Sequence, residues 1–147
     1  MDKVFKSAYI DAPLKLMEAL TVPGSKKMGL DQIAWSDEPD RDESNSKFFW
    51  RKHAMLQAFF EDIWHNHLGE KESFNAPAQI QLTRELVEIL KKLIEEDKLP
   101  VAQKGFFWGL EFQESSAIEY KEQDLEFCNW ALEEIKNGKE VFYESSW

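Results

Sequence analysis

The sequence predicts an α+β fold, mainly helical, with three to four helices packed on an aromatic core and a small two-stranded or short antiparallel β element. Three observations carry that reading. Apolar residues recur at helical spacing through 48–64 and again through 84–94. The C-terminal EVFYESSW has the β-branched and aromatic content of a short strand. Six Trp and eleven Phe in 147 residues are a heavy ring load, and each large ring buries on the order of 150–250 Å². That length fits a single domain, 1–147, able to bury a core without disulfides or metal.

Taken in order, a short helix is expected over about Pro13–Leu20, with Pro at its first turn, before Val22-Pro23-Gly24-Ser25 breaks it. SDEPDRDESNS, residues 36–46, holds no apolar residue and reads as a loop. Ser46 is then placed to cap a helix reaching Leu68 and stopping at Gly69. Its apolar face is wide: Phe49, Leu56, Phe60 and Ile63 form the stripe, with Phe48, Met55 and Phe59 beside it and Trp64 extending it.

KESFNAPAQIQL reads as extended, because Pro77 discourages helix and Ile80 and Leu82 alternate. Thr83 caps the next helix, RELVEILKKLIEED, with Leu82 and Val87 spaced as a hydrophobic staple. Leu86, Leu90 and Leu93 are its expected buried stripe, flanked by Ile89 and Ile94, and Leu99-Pro100 ends it. QKGFFWGLEF is a strand or a glycine-hinged loop. The last helix is expected over about Tyr120–Asn137, with Leu125, Cys128, Leu132 and Ile135 inward and Gly138 as its stop. The strand after it is expected to pair with 105–112.

Charge narrows the function classes. The net charge is −10, and of the stretches 1–46, 47–68, 69–100 and 101–147 only 47–68 is not acidic. Such a chain is repelled by phosphate backbones, so direct nucleic-acid binding is disfavoured, while an acidic surface imitating nucleic acid stays open. The simplest use of the acids is to solvate helix faces. A single cysteine, no signal-like N-terminus and no long apolar run give the expectation of a soluble cytoplasmic protein, outside the membrane.

Catalytic and metal motifs are rejected one by one. His65 and His67 diverge on a helix, His53 is too far away, and no HExxH or Cys pair occurs. Glu122, Asp124 and Glu126 lack EF-hand spacing, so neither metal nor cofactor is expected. Cys128 falls on an inward stripe, where a thiol is inert. Gly105 and Gly109 bracket bulky aromatics with no GK[ST] after them, so no phosphate loop is formed.

The informative cluster is Trp50-Arg51-Lys52-His53, the densest positive charge in the chain, set among aromatics. An aromatic beside Arg can hold an anionic or planar ligand. The structural alternative pairs Arg51 and Lys52 with acids of the C-terminal helix, their stems covering Trp50.

An ordered set of motifs also points outward: Met28-Gly29-Leu30-Asp31, Trp50-Arg51-Lys52-His53 with Leu56, Phe74-Asn75, Leu82-Thr83, Leu99-Pro100, Gly105-Phe106-Phe107-Trp108-Gly109, Tyr120 to Phe127, and Val141-Phe142-Tyr143 running into Trp147. Over 28–147 this set resembles a family of small bacteriophage proteins, including proteins of cyanophages, with MGLD, YWRK, LP…GFFFG and a DL-containing helix. Relative to that family, 1–27 is an N-terminal extension, and Trp108 stands where the third Phe of GFFFG is usual. The resemblance implies a phage accessory protein, active in the host cytoplasm, and brings no mechanism with it. It singles out Asp31, Arg51, Lys52, His53 and Asp124 as polar residues expected to meet in space.

Three functions are thus in play. The leading one is a non-enzymatic interaction protein that binds a host or phage macromolecule, with a protein as the expected partner. The second is a ligand-binding or enzymatic domain whose pocket is lined by Trp50, Arg51, His53 and the 105–109 aromatics, Phe107 and Trp108 among them, with His53 as general base. The third is a structural virion component.

Overall fold

The C-terminal strand lies inside a sheet, not in a hairpin. The computed structural model of the chain describes residues 29–37, 47–102 and 109–147. Their elements, in order, are β1 (Asp31–Ser36), β2 (Phe48–Arg51), α1 (Ala54–Asp62) with a π-helical turn (Ile63–His67), β3 (Gln79–Leu82), α2 (Arg84–Glu95), α3 (Leu110–Lys136) and β4 (Val141–Ser146). The expected helix at 13–20, most of the 36–46 loop, and Phe107 and Trp108 lie outside the described residues.

The strands form one antiparallel sheet in the order β2-β1-β4-β3. This is larger than the β element expected, and it corrects the pairing of 141–146. β4 pairs with β1 from Asp31↔Ser146 to Ser36↔Val141 and with β3 from Gln79↔Glu144 to Leu82↔Val141, while residues 110–112 open α3. Alternation then sorts the side chains. Trp50, Gln32, Ala34, Tyr143, Val141, Ile80 and Leu82 share the face on which the helices pack. Arg51, Asp31, Ile33, Trp35 and Glu144 share the other. On that second face Trp35 stacks on Phe142, ring centroids 5.5 Å apart.

The single helix expected over 46–68 is corrected to a strand, a turn and a helix. Phe48–Arg51 pairs with β1, Lys52 turns the chain at φ 61, and α1 begins at Ala54. A run this rich in apolar residues satisfies both periods, so periodicity alone does not separate strand from helix. The far boundary agrees with the sequence: Gly69 sits at φ 71, a conformation open to glycine.

Thr83 caps α2 as expected, its Oγ1 accepting from Leu86 N at 3.2 Å. The buried stripe, however, is Val87, Leu90 and Ile94, one residue round from the leucine stripe expected. α3 starts ten residues before Tyr120, with Gly109 as its N-cap. Its core stripe is Asp124, Phe127, Cys128 and Ala131, while Leu125, Leu132 and Ile135 are only half-buried.

The rings gather between the layers. Phe127 stands edge-on to Trp50 at 5.0 Å and to Phe48 at 5.5 Å, and Phe60 stacks on Tyr143 at 3.8 Å. None of the described helices is long and apolar enough to cross a membrane.

Candidate functional site

The polar residues that the sequence singled out separate into two groups. Trp50, His53 and Asp124 meet in the core. The indole Nε1 donates to Asp124 Oδ1 at 2.8 Å, and His53 Nε2 lies 2.7 Å from Asp124 Oδ2. Both partners of the second contact are closed to solvent, at 0% and 1% exposure. Arg51 and Asp31 lie on the opposite sheet face, where Nε and Oδ1 are 3.8 Å apart and the guanidinium is exposed. The expectation that all five polar residues converge is therefore corrected: Arg51 and Asp124 flank the sheet from opposite sides. The pairing expected for Arg51 is corrected as well, since its acid comes from β1 and not from the C-terminal helix. Lys52 occupies the turn between β2 and α1.

Local structure explains how His53 reaches its partner. As the residue before α1, its carbonyl accepts the first helical bond from Gln57 N at 3.1 Å. Its ring, freed from capping, turns to Asp124 and is covered by Tyr120, stacked at 5.2 Å and 15°. An indole N–H only donates, so Asp124 Oδ1 is an acceptor there. With Asp124 as carboxylate, His53 carries a proton on Nε2. Nδ1 is then turned away from the carboxylate and finds no hydrogen-bond partner among the described residues.

Gln32, which the sequence did not flag, extends this unit. Its Oε1 accepts from His53 N at 2.9 Å and its Nε2 donates to His53 O at 3.0 Å and to Tyr143 Oη at 2.9 Å. Tyr143 donates onward to Gln57 Oε1 at 2.7 Å, and Gln57 Nε2 reaches Ser145 Oγ at 2.9 Å and Glu61 Oε2 at 3.1 Å. A continuous buried chain of polar groups thus links β1, the turn after β2, α1, α3 and β4. Burial pushes the Tyr143 hydroxyl well above its ordinary value, so it stays a donor.

Two further amide side chains work in the same way. Gln113 exchanges two 2.9 Å bonds with the backbone of Ala102. Asn75 Oδ1 accepts from Trp147 N at 3.0 Å. α3 also shields the free edge of β2, with Tyr120 Oη accepting from Arg51 N at 3.0 Å and Gln123 Nε2 donating to Phe49 O at 2.8 Å.

This unit braces the core and offers no reaction surface. A general base needs hydrogen-bond reach to a substrate proton, and the His53 ring is enclosed. An open concavity lies on the other side of Asp124. It is a cleft of about 400 Å³ between α1, the end of α2 and the first half of α3, floored by Met55, Ile94, Leu99 and Ala117. Asp97, Glu114 and Lys121 line it too, with Lys121 Nζ 2.9 Å from Asp97 Oδ1. Trp50, Arg51 and His53 do not line this cleft. No three His, Cys, Asp or Glu side chains among the described residues are grouped to hold a metal ion.

Cys128 is fully buried, and burial, with Asp124 adding in the same direction, pushes its thiol up to about 12. Iodoacetamide at pH 8 should therefore leave the folded chain unmodified and label it once urea unfolds it, as read by mass spectrometry. The sign for stability follows. A thiol held protonated by the fold favours the folded state fully below pH 9, and that contribution is lost as pH rises toward 12. Stability should fall between pH 9 and 10 by up to about 1.4 kcal/mol per unit, and Cys128→Ala should flatten that slope. Above pH 10 Tyr143 adds a slope of the same sign.

No protein-family model matches the chain, and neither a curated protein nor a solved structure matches it.

Proposed function

We propose that the chain is a non-enzymatic interaction protein, a phage accessory factor by its motifs, and that the cleft beside α3 receives its partner. One observation carries the reading. Val101 and Ile118 stand exposed at that cleft, Ile118 at 77%. Both line it, and Leu110, also exposed, opens the same helix as Ile118. Apolar side chains grouped at an open concavity mark interaction surfaces more often than scattered ones do.

The chemistry of the partner follows from charge. Glu111, Glu114, Glu119 and Glu122 are exposed on the first half of α3, and the whole chain carries −10. A protein segment with a large apolar side chain flanked by Lys or Arg complements both features. The enzymatic alternative has lost its anchors, since Trp50 and His53 are enclosed and Arg51 points away. The phage assignment rests on the motif resemblance.

Selection of short random peptides against the immobilised chain tests the reading. Enriched sequences should place an apolar residue beside Lys or Arg, and they should lose binding to an Ile118→Asp variant. Ile118 is exposed, so that variant should keep its fold within about 0.5 kcal/mol. Enrichment of acidic peptides, or equal binding to both proteins, would refute it.

A further inference from the structure

Helix α2 carries two apolar stripes, and the core fully buries only one of them, while Leu86 and Leu93 of the other are half-buried against it. Val87, Leu90 and Ile94 are buried. One residue round, Leu86, Ile89 and Leu93 repeat the same three-then-four spacing, and they line a groove of about 560 Å³ with Ile63 and Leu68 of the π-helical turn. Ile89 is 57% exposed and Leu68 50%. A three-then-four seam is the surface that one helix offers to another.

The charges beside the seam indicate which helix. Glu85 and Lys92, seven residues apart, flank the seam on one side, while Arg84, Glu88, Lys91 and Glu95 lie further round the helix. The ion pairs among the described residues use neither Glu85 nor Lys92. A second α2 laid antiparallel across the seam places Glu85 of each copy against Lys92 of the other, twice over. A parallel copy places like charge on like. Self-complementarity under a two-fold axis is what an isologous interface requires. Acids first and lysines last also suit the helix dipole, but the dipole gives no reason for exposed Ile89 and Leu68.

We infer that the outer face of α2 docks a second copy of the chain, antiparallel, with Leu86, Ile89 and Leu93 at the seam and Glu85 facing Lys92 of the other copy. The surface is distinct from the α3 cleft, so the inference stands apart from the peptide-binding reading.

Sedimentation velocity over a concentration series tests it on the full chain. The wild type should move from monomer to dimer as concentration rises, and Ile89→Lys should hold it as monomer. Lys92→Glu, which sets Glu against Glu85 of the other copy, should weaken the dimer roughly tenfold or more. Glu85→Lys combined with Lys92→Glu should restore it. Urea melts would confirm that the variants are folded. A chain that stays monomeric throughout, a dimer indifferent to Ile89→Lys, or a charge swap that fails to restore association would each overturn the inference. Ile89→Lys should leave selected peptides bound at the α3 cleft, which separates failure of this inference from failure of the cleft reading.

Discussion

Asp124→Asn should destabilise the fold by about 3–5 kcal/mol, from a charge-assisted hydrogen bond lost and a buried donor left unpaired. The substitution is conservative in shape only. Asp124 accepts from Trp50 at one oxygen and faces His53 Nε2 at the other. An asparagine oxygen can keep the indole, but its NH2 then points at the imidazole N–H. Relief requires His53 to move its proton to Nδ1, where no described residue accepts it. Either tautomer leaves a buried donor unpaired. With about 2–4 °C of melting temperature per kcal/mol at this size, the loss should approach roughly 10 °C, and the urea midpoint should fall at constant m. Glu122→Gln, exposed on the same helix, should stay within about 0.5 kcal/mol. Trp50→Phe and Asp124→Ala should be non-additive when combined, because each deletes the bond between the indole N–H and Asp124 Oδ1. Additive losses below about 1 kcal/mol each would show that the unit is not a brace.

How much of this was legible in the sequence depends on what each residue signals alone. Stops and caps are local, and they were readable: Gly69, Thr83 and Gly138 each mark the boundary expected of them. The strand at Phe48–Arg51 was hidden because its apolar run continues into α1, and because the turn depends on a lysine at positive φ, which no propensity announces. The α3 stripe was misplaced for another reason. Its first member is Asp124, and a hydrophobic pattern passes over an acid even when that acid bonds two core side chains. Helix α2 shows the reverse case. Its two apolar stripes are nearly equal in composition, so the sequence alone could not say which one faces inward. The candidate site was legible in part. Trp50, His53 and Asp124 do meet, but strand alternation sends Arg51 to the opposite face, and alternation could be applied only once β2 was known to be a strand. Gln32, Gln57 and Gln113 were missed because glutamine is ordinarily a surface residue. The one available signal was the position of Gln32 two residues before Ala34, on the buried face of β1.

Gln32→Leu turns that last point into a measurement. Leucine is close to glutamine in size and suits a buried strand face, so a reading based on hydrophobicity alone expects a neutral or stabilising change. The hydrogen bonds demand the opposite. The Gln32 amide satisfies His53 N, His53 O and Tyr143 Oη. His53 O retains its helical bond from Gln57 N, and Tyr143 retains its bond to Gln57. His53 N–H retains nothing, and it lies where the chain leaves β2 for α1. An unpaired buried donor costs about 1–3 kcal/mol, and the weakened carbonyl and hydroxyl each add up to about 1 kcal/mol. A total of about 2–4 kcal/mol is expected from urea unfolding. Local order should report it as well, since His53 N–H would exchange with solvent far faster than its neighbours in α1. Gln32→Glu separates shape from donor chemistry. A carboxylate can still accept from His53 N but cannot donate to His53 O, so Glu at this site should bind a proton on folding, and its variant should gain stability as pH falls through the carboxylate range. If Gln32→Leu proved neutral while Gln81→Leu at an exposed position of β3 did also, the side-chain amide would be incidental and packing alone would hold the turn. If only the exposed control is neutral, one amide is what ends β2 and starts α1.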